Sequence, residues 1–152
     1  MDYVTYIRNM VGHEKIFLVA AGMVIHDGNG RILLQQRRDC GLWGISGGIC
    51  ELDESVAETA HRELKEETGL EAEIEYLLGV YSKGSSELKN GDKLQCVTVV
   101  FVSHITGGKM IESSSETLSL AWFARDNIPQ IYSPKHAAMI KDFFEGRRGV
   151  WR

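Results

Sequence analysis

The spacing of apolar positions changes along the chain, and each change marks an element. Tyr3, Ile7, Met10 and Val11 recur at helical spacing, predicting a short amphipathic helix over residues 2–11. Phe17 to Ile25 is then an almost unbroken apolar run. Turn residues Asp27-Gly28-Asn29-Gly30 follow, and RILLQQR resumes the strand pattern, so the pair reads as a β-hairpin. A short segment, LWGIS, leads into Gly47 and Gly48. Helical period returns over residues 55–69, where Ala57, Ala60 and Leu64 form one stripe between Ser55 as N-cap and Gly69 as C-cap. Two long strands are predicted near 72–82 and 93–105, joined by KGSSELKNGD with its Asn-Gly turn. LSLAWFA reads as a further strand before Pro129. Ser133-Pro134 then opens a last helix, 134–145, burying Ile140, Phe143 and Phe144. Strands outnumber helices, which predicts a mixed α/β sheet with helices on its faces.

One helix face breaks the hydrophobic logic. Glu63, Glu66 and Glu67 stand at i, i+3 and i+4, where like charges repel. Arg62 offsets part of that charge, and Glu54 and Glu58 lie on the approach. Taken alone, such a cluster is more often a solvated face than a site. The alternative is a site for a hard cation: Mg²⁺ and Mn²⁺ prefer carboxylate, carbonyl and water oxygens and usually bridge to phosphates.

Composition narrows the classes. The 152 residues suit one domain, 1–152, with 43% hydrophobic and 25% charged residues. Lys and Arg number 17 against 21 Asp and Glu, and the net charge of −4 disfavours broad nucleic-acid binding. Cys40, Cys50 and Cys96 are odd in number and widely spaced, which fits a reducing compartment rather than a disulfide framework. No apolar run of signal-peptide or membrane-spanning length is present, so the expectation is a soluble, cytoplasmic protein with no membrane partner. Histidines 13, 26, 61, 104 and 136 show no metal-ligand spacing.

The surrounding residues change the balance for the acidic cluster. Gly48, five residues, Glu54, seven residues and then Arg62-Glu63-Leu64-Lys65-Glu66-Glu67-Thr68-Gly69-Leu70 form a full Nudix box over 48–70. With each residue type near ~7% usage, a chance match at a given start is on the order of one in a billion. The chain resembles the Nudix (MutT-like) hydrolases, and LLQQR, GLWGISGG and ETLSLAWFARDNIP extend the resemblance over most of residues 15–130.

That resemblance implies an α/β/α sandwich with a mixed β-sheet, whose box forms a loop-helix-loop. It also implies Mg²⁺-dependent cleavage of a diphosphate linked to another moiety, with Mn²⁺ able to substitute. By position, Glu63 and Glu67 would be the principal metal ligands, Glu66 a further one, and Gly48 would offer its carbonyl. Arg62 would orient the glutamates, and Glu116 aligns with a downstream metal-binding glutamate of MutT-like members. Arg37 would face a substrate phosphate, while Trp43 and Tyr81 could stack on a base or simply belong to the core. Asp53 stands where most members carry Gly, at a position expected to need positive φ, and Ser46 replaces the usual Pro. The substrate is expected to be a small nucleotide, either an ADP-ribose-like nucleotide sugar or a nucleoside triphosphate. It would be read chiefly by loops around 81–93 and 109–117. A catalytically silent nucleotide-binding domain is the alternative, and a homodimer stays open.

Overall fold

Successive residues of the first strand point to opposite sides, and both sides are buried. The computed structural model describes all 152 residues. They form α1 (Tyr3–Val11), β1 (Ile16–His26), β2 (Arg31–Arg37), β3 (Trp43–Gly44), β4 (Ser46–Ile49), α2 (Val56–Thr68) and β5 (Leu70–Tyr81). Then come β6 (Ser86–Glu87), β7 (Lys93–Gly108), β8 (Thr117–Ala124), α3 (Pro134–Phe144) and β9 (Val150–Trp151). On one face Val24 joins Ile32, Leu34, Val100 and Val102 against Met139 and Ile140 of α3. On the other, Ala21, Met23 and Ile25 pack against Ala60 and Leu64 of α2. The result is the expected α/β/α sandwich around a mixed sheet. Leu64 is fully buried, a position where truncation to alanine costs roughly 2–5 kcal/mol.

The sheet order is β3-β2-β1-β7-β5-β9, with β4 beside β1, β8 beside β2 and β6 beside β7. The β1–β7 pairing is parallel, from Ile16–Leu94 to Ile25–Ser103. The predicted hairpin exists but is short, pairing Ile25 with Leu33 and His26 with Ile32. Beyond it β2 turns to β8, and β4 takes its place on β1 through Ala20–Ile49 to Met23–Ser46. Gly22 faces Gly47 in that register. A Cβ on Gly47 would fall 2.7 Å from the Ala21 carbonyl oxygen, so only bare backbone lets the strands approach this closely.

Helix α2 is stopped at both ends by its own sequence. The Ser55 hydroxyl accepts from Glu58 N–H at 3.1 Å, and the Glu58 carboxylate accepts from Ser55 N–H at 2.7 Å, closing a capping box. Gly69 ends the helix in the left-handed region. The neighbouring strand β5 begins at once with Leu70, two residues earlier than the predicted 72, because Leu70 pairs with Gly108 at the far end of β7. In α3, Pro134 opens the first turn and Ser133 caps it. Ile140 is buried, whereas Phe143 and Phe144 are only partly so. Helix α1 buries no residue completely and lies at the rim of the cleft described next.

Candidate active site

The box helix sets its carboxylates into two different environments. Glu67, on the face of α2 turned toward β4, is 6% exposed. Its Oε1 accepts from Gly47 N–H at 2.8 Å and from the Ser46 hydroxyl at 3.1 Å. Burial and the neighbouring Glu63 charge push Glu67 up to about 8, against the lowering effect of those two donors. Burial also raises Glu63, partly opposed by Arg62. Gly48 sits directly against the Glu63 carboxylate, where any Cβ would collide with it.

Arg62 binds the outer carboxylates together. Its Nε and Nη2 donate to Glu54 at 2.6 and 3.0 Å. Its Nη1 donates to Glu63 at 2.9 Å and Glu66 at 3.3 Å, and Nη2 also reaches the Ile49 carbonyl at 3.1 Å. Arg62, with Thr59 and the Glu51 N–H, holds Glu54 down at about 2. Asp53, at the turn before it, has φ 68°, and it is the only non-glycine residue with positive φ. The expectation for that position is met.

These groups open onto a cleft of about 910 Å³. Glu63, Glu66, Glu67, Arg62, Gly48, Glu116 and Arg37 all line it, and the two expected loops reach it through Ser86, Leu88 and Ser115. Glu116 is exposed, yet its charge is felt by both Glu63 and Glu67. Arg37 arrives partly committed, with Nε and Nη2 donating to Asp39 at 3.1 and 2.7 Å. Its guanidinium lies 4.2 Å over the Tyr132 ring.

Two sequence candidates do not reach the cleft. Tyr81 is 2% exposed within the core and donates its hydroxyl to Asp142 at 2.8 Å. Trp43 packs edge-on against Phe123, ring centres 4.9 Å apart. Neither lines the cleft, so the stacking role is corrected to a packing role for both. Conversely, Gln35, Tyr132, Lys135 and His136 line the cleft and were not foreseen. They carry no motif; they meet the site only through tertiary contacts. Gln35 donates to the Thr117 hydroxyl at 2.7 Å, which donates to the Glu67 carbonyl at 3.0 Å.

Comparison with known proteins agrees with this arrangement. The family described as "NUDIX domain" matches residues 16–143. The chain belongs to the Nudix family. A Bacillus subtilis (strain 168) protein named as a candidate 8-oxo-dGTP diphosphatase is 31% identical over 135 residues, covering 89% of this chain and 85% of the relative. The ADP-ribose pyrophosphatase of Methanocaldococcus jannaschii is 29% identical over 133 residues, 86% of this chain and 75% of that protein. Among solved structures, an ADP-ribose pyrophosphatase from Streptococcus suis 89-1591 superposes with a TM-score of 0.69 at 26% identity, covering 89% of this chain and 96% of the other. This Nudix protein is accordingly a hydrolase acting on phosphorus anhydrides. No helix is long and apolar enough to cross a membrane.

Nudix hydrolases generally use divalent metals, and the donor set here fits one. Glu67 is a buried carboxylate with no cationic partner, and its Oε2 makes no hydrogen bond to protein. The bare Gly48 backbone lies directly against Glu63 on the same wall. Arg62 draws Glu63 and Glu66 to itself, and no three such side chains converge in a coordinating arrangement.

Proposed function

We propose that this Nudix hydrolase is Mg²⁺-dependent and cleaves the diphosphate bond of a small nucleotide. The observation that carries the reading is Glu67: a buried carboxylate without counter-charge, beside Glu63, facing a cleft. A protein keeps such a group only at a cost unless a cation joins it. Glu63, Glu66, Glu67 and the Gly48 carbonyl would hold the ion, all oxygen donors of the kind Mg²⁺ and Mn²⁺ prefer. When bound, it neutralises phosphoryl charge and makes water nucleophilic at neutral pH.

The chain's own residues supply the rest. Arg62 fixes the glutamate carboxylates, and Arg37 and Lys135 bring positive charge to the cleft. A carboxylate takes the proton of the attacking water. Glu116, which has no arginine partner and lies outside that donor set, is favoured for that step. The relatives' names support two substrate classes, an ADP-ribose-like nucleotide sugar and an oxidised nucleoside triphosphate.

A panel of both classes tests the reading, with products separated after exhaustive chelation and again after Mg²⁺ is restored. Hydrolysis of at least one compound should vanish with chelator and return with Mg²⁺ or Mn²⁺. Turnover that survives metal removal unchanged would sink the mechanism.

A further inference from the structure

Tyr132 is held more firmly than a cleft-lining tyrosine needs for packing alone. Its N–H donates to the Trp43 carbonyl at 2.9 Å, tying it to β3. One ring face carries the Arg37 guanidinium. The ring edge lies against Gly44, where a Cβ would come within 2.7 Å of Tyr132 Cε1.

The hydroxyl is fixed by His136, and the direction of that bond follows from the second ring nitrogen. Ile45 N–H donates to His136 Nδ1 at 3.2 Å, so Nδ1 presents a lone pair. Burial, reinforced by Arg37 and Lys135, pushes His136 down to about 3, so the imidazole is neutral at physiological pH. A neutral imidazole with its lone pair on Nδ1 carries its hydrogen on Nε2. The 2.9 Å contact between Nε2 and the Tyr132 oxygen is therefore Nε2–H donating. Tyr132 accepts there, and its own O–H has no acceptor within the protein.

Three cationic side chains line the cleft: Arg37, Arg62 and Lys135. Arg62 is committed to Glu54, Glu63 and Glu66. Arg37 and Lys135 are the cations not held by box carboxylates, although Arg37 pairs with Asp39 and Lys135 donates to the Cys96 carbonyl at 3.0 Å; Tyr132 is in contact with Arg37. A negative oxygen drawn toward that charge meets a preorganised O–H donor.

We infer that Tyr132 is a substrate-binding residue whose hydroxyl donates to a phosphoryl oxygen, with His136 as the positioning residue that leaves its proton free. The inference rests on the diphosphate reading above and assigns a residue outside the box to that chemistry. Tyr132→Phe removes the donor while keeping the ring that Arg37 and Gly44 contact.

Two non-hydrolysable ligands test it by calorimetry in Mg²⁺: methylenediphosphonate, which has no nucleoside, and α,β-methylene-ADP. Tyr132→Phe should bind both about tenfold more weakly than the parent, by similar factors, as expected for losing a hydrogen bond to a charged oxygen. Its thermal unfolding should stay cooperative but move down modestly, because the buried Nε2–H of His136 loses its acceptor. The ¹⁵N imidazole spectrum of the parent should show His136 neutral and protonated on Nε2 near neutral pH. Full retention of both ligands by Tyr132→Phe would overturn the inference and leave the diphosphate reading standing. So would weakening confined to the nucleoside-bearing ligand, or a His136 protonated on Nδ1. A parent that binds neither ligand overturns the diphosphate reading itself, and this assignment with it.

Discussion

Glu54 and Glu67 are both glutamates of the box, yet one is held at about 2 and the other pushed up to about 8. The difference is local. Glu54 receives two donors from Arg62 and one each from Thr59 and Glu51 N–H; Glu67 is buried, with a second carboxylate close by. On the proposed reading, that contrast separates an acid held by the scaffold from one left to a cation. Glu67→Gln keeps the size and removes the charge, so kcat should fall by about two orders of magnitude or more without loss of fold. Glu116→Gln should also lower kcat, by about 100-fold, with a smaller change in KM, as expected for a positioned base. Steady-state kinetics across pH check both. A Glu116→Gln enzyme with parental kcat and an unshifted acidic limb would confine the chemistry to α2. Ser46, at the usual proline position, changes a different quantity: it adds a hydroxyl donor to Glu67.

Among elements, α3 matters because it carries Lys135 and His136 into the cleft. Its anchor is Asp142, 2% exposed, which accepts from Tyr81 and, twice, from Arg152 at 2.9 and 2.7 Å. Strand β9 thereby closes on β5, with Val150 beside Gly79 and Trp151 beside Val80. Arg152, then Tyr81, hold the Asp142 carboxyl below its usual range, against the effect of burial. A carboxyl lowered on folding adds stability that is present above its unfolded pKa and lost as pH falls through the folded one. Docking of β9 should thus be unchanged from about pH 5 to 8 and weaken only below about pH 4. Amide exchange at Val150 and Arg152 reads this directly. Protection lost already near about pH 6 would show that another group controls the strand. The element pattern was largely legible because its signals are local: the caps of α2, Pro134 after Ser133, and the alternation within strands. The β1–β2 pairing was overestimated because adjacency suggests a hairpin, whereas β8, distant in sequence, competes for β2.

Across the whole molecule, the acidic half of the cleft was legible because one helix and one glycine carry it. The other half was not. His136 reaches Ile45, and Gln35 reaches Thr117, across 91 and 82 residues of chain, and no spacing rule connects them. Tyr81 and Trp43 misled for the same reason: an aromatic in a strand has no sign of which layer it will face until the sheet is assembled. The assembled cleft sets carboxylates and cationic groups around a volume suited to a small nucleotide, where water is expected to attack phosphorus. Hydrolysis of a cleaved nucleotide in ¹⁸O water with Mg²⁺ locates the bond that water forms, with each product weighed by mass spectrometry. Attack at phosphorus places one ¹⁸O atom in a phosphate group of one product. Label found only in the carbon framework of the departing moiety would contradict it.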